Sequence, residues 1–146
     1  MNTTKNSQQH KHVQLIPLPK RDEFTPFPDS LTGALHNKSL PFQHYTSQLP
    51  TSPTPSTLHK IYNELLSRAN QSTAQNEKLS YNFVMTTEWM FISPRSKDDY
   101  IDNGHKIAVN STGMVGLLLT KSEEQSQFVE EIGPLTILAF VGKPWN

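Results

Sequence analysis

The chain is 146 residues long, 34 % hydrophobic, with a formal net charge of zero. That length suits one domain burying roughly two-thirds of its unfolded surface. A zero balance offers no basic stripe to nucleic acid, and the lack of cysteine removes disulfides and thiolate chemistry.

Residues 1–9 read as a polar loop without the apolar run of a secretory signal. No stretch nears the roughly 20 apolar residues of a membrane span. A soluble protein of the cytoplasm or nucleus is therefore expected, with neither nucleic acid nor membrane as partner. A strand is predicted at about 10–16, where His10, His12 and Gln14 alternate with Lys11, Val13 and Leu15. Alternate side chains on a strand share a face roughly 6.6 Å apart. Two imidazoles and a carboxamide would then line one polar face, while Val13 and Leu15 point into a core. Near pH 7 an imidazole is mostly neutral and attacks phosphorus without first losing a proton. Two other readings stand beside this one. A metal site would have to accept Gln14 as a poor ligand, with His36, His44, His59 and His105 scattered along the chain. A surface strand carrying incidental histidines is the other.

Pro17 and Pro19 close the strand, and eight of the eleven prolines fall between Pro17 and Pro55. One short strand is expected between Leu40 and Leu49, and Thr51–Ser56 reads as a linker. Leu58, Ile61, Tyr62, Leu65, Leu66 and Ala69 recur at helical spacing and predict a helix over 56–70, capped by Ser56. Strands at about 80–86 and 88–94 around Thr86-Thr87-Glu88 predict an antiparallel hairpin. Two more strands are expected near 106–110 and 114–120, with Asn110-Ser111-Thr112-Gly113 between them. Ser122-Glu123-Glu124-Gln125 has capping-box spacing and opens a helix with Phe128, Val129 and Ile132 inward. Pro134 starts a last helix that Gly142 and Pro144 end. The pattern is α+β around an antiparallel sheet.

Three motifs carry a resemblance. Ser7-Gln8-Gln9-His10-Lys11-His12-Val13-Gln14-Leu15-Ile16-Pro17-Leu18-Pro19 resembles the active-site strand of the diadenosine tetraphosphate phosphorylases (ATP adenylyltransferases) of the histidine-triad superfamily, which carry His-x-His-x-Gln. The run from Ser80 to Thr86 and from Glu88 to Ser96 resembles that family's C-terminal hairpin. Asn110-Ser111-Thr112-Gly113-Met114-Val115-Gly116-Leu117-Leu118-Leu119-Thr120-Lys121 is similar to its Asn-Ser-x-Gly-x-x-Gly-Met-Leu-x-x-Lys run, with Leu117 in place of methionine. Leu40-Pro41-Phe42 and Gly133-Pro134-Leu135 also fit.

The resemblance implies a partial histidine-triad-like antiparallel sheet with flanking helices. Residues 1–55 would be the active-site strand and proline-rich loop of the catalytic domain, and 56–146 the family's C-terminal region. In the family the histidine strand lies near mid-chain, so a C-terminal piece is implied. His12 would be the nucleophile, His10 would orient it, and Gln14 would donate to a phosphate oxygen. Ser7, Gln8, Asn110, Ser111, Thr112, Leu117 and Lys121 would contact substrate. Lys5-Asn6 stands where the family has Gly-Ala, which removes backbone freedom from that loop. The implied partners are diadenosine tetraphosphate, ATP, ADP and phosphate. No cofactor is required, and a divalent cation such as magnesium would stimulate by screening phosphate charge. The alternative is an inactive homologue that serves as a binding or interaction module.

Overall fold

The computed structural model describes residues 13–31, 36–71, 73 and 78–145. Its elements are β1 (Tyr45–Gln48), α1 (Pro55–Gln71), β2 (Tyr81–Met85), β3 (Trp89–Pro94), β4 (Asp99–Asp102), β5 (His105–Ala108), α2 (Ser111–Met114), α3 (Glu123–Ile132) and α4 (Pro134–Val141), with a 3₁₀ turn at Phe27–Ser30. The main sheet has the order β1-β3-β2, antiparallel throughout. The second pairs β4 with β5.

Strand β3 organises the molecule. Every one of its residues is buried, because each face meets a separate apolar layer. Met90 and Ile92 pack with Leu65 and Ala69 of α1, flanked by Ile61, Tyr62 and Phe83. Trp89 and Phe91 face the opposite way, into Phe42, Met114, Val115, Ile137 and Val141. Fully burying one such side chain contributes roughly 1.5–3 kcal/mol, so this strand holds the two layers together. The helix over 56–70, the hairpin and the two closing helices are found where the spacing predicts them.

Local chemistry explains the ends of these elements. Ser122 Oγ accepts from the Gln125 N–H at 3.2 Å and opens α3. Gly133, at φ +86°, closes α3 and leads into Pro134 at the first position of α4. α1 is capped by Thr54, whose Oγ1 accepts the Thr57 N–H at 3.1 Å, and not by Ser56. The strand expected near 106–110 is found as β5, but its partner β4 has no counterpart among the expected elements. Their hairpin turns at Asn103 and Gly104 with φ of +47° and +81°, the positive pair that a tight two-residue hairpin requires.

Among the described residues two expected strands are not found. Residues 13–16 form no strand, and Val13 and Leu15 are 85 % and 95 % exposed instead of facing a core. Among the described residues no strand pairs with this segment, and an unpaired strand has no ladder to hold it. The strand expected at 114–120 is replaced by α2 and an irregular run. Asn110 caps α2, and Gly116 at φ +110° breaks any extended path through that sequence.

Candidate functional site

A cleft of about 250 Å³ opens where three segments meet. The strap 16–26 contributes Ile16, Leu18 and Phe24. The β2–β3 hairpin contributes Val84, Met85 and Trp89, and the stretch through α2 contributes Thr112, Val115 and Leu117. Every lining side chain is apolar or neutral. Such a surface favours a flat apolar group over a phosphate chain, which needs cationic or N–H donors.

The strap is tied down at several points. The Phe27 N–H donates to the Val115 carbonyl at 3.2 Å. Arg21 places one guanidinium nitrogen 2.7 Å from Glu88 Oε2 and another 3.5 Å from Asp29 Oδ2. Trp89 Nε1 donates to Asp29 Oδ1 at 2.7 Å. An exposed pair such as Arg21–Glu88 contributes well under about 1 kcal/mol by itself. The bonds to Asp29 and Val115 are better sheltered and fix the path of the strap.

The facing wall is set by a short polar turn. Asn110 Oδ1 accepts from the Gly113 N–H at 3.0 Å and from Thr112 Oγ1 at 2.7 Å. A Cβ at position 113 would lie 3.1 Å from Leu118 Cδ2 and from Val109 Cγ1, so glycine suits this crowded spot. Ser111 Oγ donates to Asn82 Oδ1 at 3.3 Å, joining the turn to β2.

The structure thus brings together Asn110, Ser111, Thr112 and Leu117, and Thr112 and Leu117 line the cleft. It does not bring in Gln14 or Lys121. Gln14 is exposed and does not line the cleft. Lys121 is exposed just before α3, with its backbone N–H bonded to Gln125 Oε1 at 2.8 Å. Ser7, Gln8, His10 and His12 lie outside the described residues. Sequence reasoning missed Ile16, Leu18, Phe24, Met85 and Trp89 as cleft residues. The signal for the first two is Ile16-Pro17-Leu18-Pro19: alternate prolines stiffen an extended segment as well as ending a strand. Among the described residues no three His, Asp or Glu side chains form a metal-ligand group. No helix there is long and apolar enough to cross a membrane.

Residues 38–144 match the family model described as the ATP adenylyltransferase C-terminal domain. The chain belongs to that family. It is similar to Protein APA1 of Saccharomyces cerevisiae, 31 % identical over 140 residues that cover 82 % of this chain and 42 % of that protein. Diadenosine tetraphosphate phosphorylase 2 of the same yeast is 29 % identical over 149 residues, covering 86 % of this chain and 44 % of its own. The chain therefore spans less than half the length of these relatives. Among solved structures, yeast Ap4A phosphorylase in complex with AMP aligns with a TM-score of 0.82 and 29 % identity, over 95 % of this chain and 52 % of that one. The same enzyme in complex with Ap4A gives 0.81 and 27 %, over 95 % and 50 %. This ATP adenylyltransferase C-terminal domain shares the α+β arrangement of that phosphorylase, an antiparallel sheet with flanking helices.

Proposed function

We propose that the chain carries the nucleotidyl-transfer chemistry of the diadenosine tetraphosphate phosphorylases, with His12 as nucleophile. One observation carries the reading. The strap that continues directly from the His-x-His-x-Gln motif walls an uncharged cleft, and Thr112 and Leu117 of the second motif lie within the same cleft. An adenosine moiety fits such a cleft in chemistry, while its phosphates need cationic or N–H donors that the lining does not supply.

In the first step a ring nitrogen of His12 attacks the α-phosphorus of diadenosine tetraphosphate. A P–N bond forms, the P–O bond to the rest of the molecule breaks, and ATP leaves with the electron pair. Inorganic phosphate then attacks the adenylyl-histidine, the P–N bond breaks, and ADP departs. Two displacements through one intermediate give ping-pong kinetics. His10 orients the nucleophile and Ser7 and Gln8 donate to phosphate oxygens. Gln14 and Lys121 lie outside the cleft, so their part is confined to phosphates beyond it, Gln14 as a donor and Lys121 as a point charge. Gln14 has no ionisable proton, which disfavours acid–base activation of water and leaves transfer to phosphate as the productive route. This reading needs no cofactor, and magnesium would only screen charge.

Incubation with diadenosine tetraphosphate tests the proposal. ADP and ATP should form in equal amounts only when phosphate is added. A folded protein that forms neither would overturn it. One observation favours a second reading, an interaction module without turnover. Val13, Leu15, Ile16 and Leu18 are 85, 95, 58 and 53 % exposed, and clustered exposed apolar side chains of this kind mark contact surfaces.

A further inference from the structure

Asn82 lies on β2 and is only 4 % exposed. It and Val84, two residues on, point to the same side of the strand, and Val84 lines the cleft. Ser111 is next in sequence to the cleft residue Thr112, so Asn82 and Ser111 lie directly behind the cleft wall without lining it themselves. Ser111 Oγ gives its proton to Asn82 Oδ1 at 3.3 Å. The Nδ2 of Asn82 is buried and has no hydrogen-bond partner. A buried amide donor without an acceptor is unfavourable, so a chain that keeps one behind a cleft wall gains from it elsewhere. On the same sheet face Val84 is apolar and Ser93, directly opposite Asn82, gives its hydroxyl proton to the Gln43 carbonyl; the neutral carboxamide thus suits an uncharged or shared-charge oxygen.

We propose that Asn82 is a substrate-binding residue, whose Nδ2 donates to an acceptor oxygen on the sugar–phosphate part of a nucleotide held in the cleft, while its Oδ1 fixes Ser111. The inference rests on the nucleotide reading of the cleft and extends it to a residue of the hairpin. The carboxamide then does two things at once. It sets the Asn110–Gly113 turn through Ser111, and it is brought into use when the ligand arrives.

The test uses the full chain labelled with ¹⁵N-asparagine and followed by NMR, with adenosine, AMP and inorganic phosphate titrated separately. AMP should move the Asn82 side-chain NH₂ pair and slow its hydrogen exchange, together with shifts at the Thr112 and Leu117 amides seen in a uniformly labelled sample. A response to adenosine as well assigns the acceptor to the sugar; a response to AMP and phosphate alone assigns it to the phosphoryl group. Asn82→Asp, which has no hydrogen to give, should weaken AMP binding about tenfold or more. Ser111→Ala should weaken it less while leaving the β2–β3 amide pattern intact. The wild-type measurement needs no variant, so a poorly folding Asn82→Asp leaves the test in force. Shifts at Thr112 and Leu117 with a motionless Asn82 pair would overturn the role of Asn82 and leave the nucleotide reading standing. No shift with any of the three ligands would overturn both.

Discussion

His44 has no exposed surface, yet both its ring nitrogens are engaged. Nδ1 lies 2.9 Å from the Phe42 carbonyl, and Nε2 accepts the Asn37 N–H at 3.0 Å. Those partners require the neutral ring with its proton on Nδ1. The rings of Phe27, Phe42 and Trp145 surround it within 5.6 Å between centroids. Burial accordingly lowers its pKa from 6.5 to about 4. Because the unfolded chain takes up this proton first, the stabilisation is complete above pH 6.5. It is lost as pH falls from 6.5 to about 4, by roughly 3 kcal/mol in all. Urea unfolding at pH 7, 5.5 and 4 should show a steeper loss for the wild type than for His44→Gln, whose side chain does not titrate. Equal slopes for the two proteins would contradict this role. Nothing about His44 in the sequence separates it from a ligand or a nucleophile. Its neutrality depends on Asn37, a backbone carbonyl and rings from distant positions, which no local pattern reveals.

Among the elements, the most legible were those whose signals are local. Ser122 and Gln125 open α3 as their spacing predicts, and the apolar rows of α1 and the short Thr86-Thr87-Glu88 turn act within a few residues. The stretch 114–120 misled because its apolar content suits a strand, whereas the decisive atoms were those of the cap before it. Asn110→Ala removes an acceptor used by two donors. It should cost about 1 kcal/mol, lower the melting temperature by a few degrees, and raise the Kd for AMP because the turn bearing Thr112 loosens. Gly104→Ala makes a useful contrast. A Cβ there meets nothing within 4 Å, so its cost comes from the φ of +81° alone, about 1–2 kcal/mol. No residue of β4 or β5 lines the cleft, so AMP affinity should stay unchanged. Thermal melts and AMP titrations of the two variants separate loss of stability from loss of the site. The Asn103-Gly104 pair itself was a readable hairpin signal, obscured by the few apolar residues on either side.

At the scale of the whole molecule, β3 divides two apolar layers, and the strap 16–26 closes a cleft against only one of them. The placement of the motifs follows from that division. Asn110 to Leu117 and the hairpin meet on one side, while Gln14 and Lys121 stay outside the cleft. That convergence was not legible from spacing, since it depends on Asp29, Trp89 and Val115 drawing distant segments together. The exposure of Val13 and Leu15 has the same origin: whether such a segment is a strand depends on a neighbour to pair with. Uptake of an adenylyl group by His12 can be seen by mass spectrometry of the chain quenched during turnover. Incubation with diadenosine tetraphosphate in the absence of phosphate should leave one acid-labile AMP on the peptide that contains His12. The adduct should be discharged to ADP when phosphate is added and should not form in His12→Ala. A folded chain that turns over its substrate with no adduct, or that keeps the adduct in His12→Ala, would contradict the account.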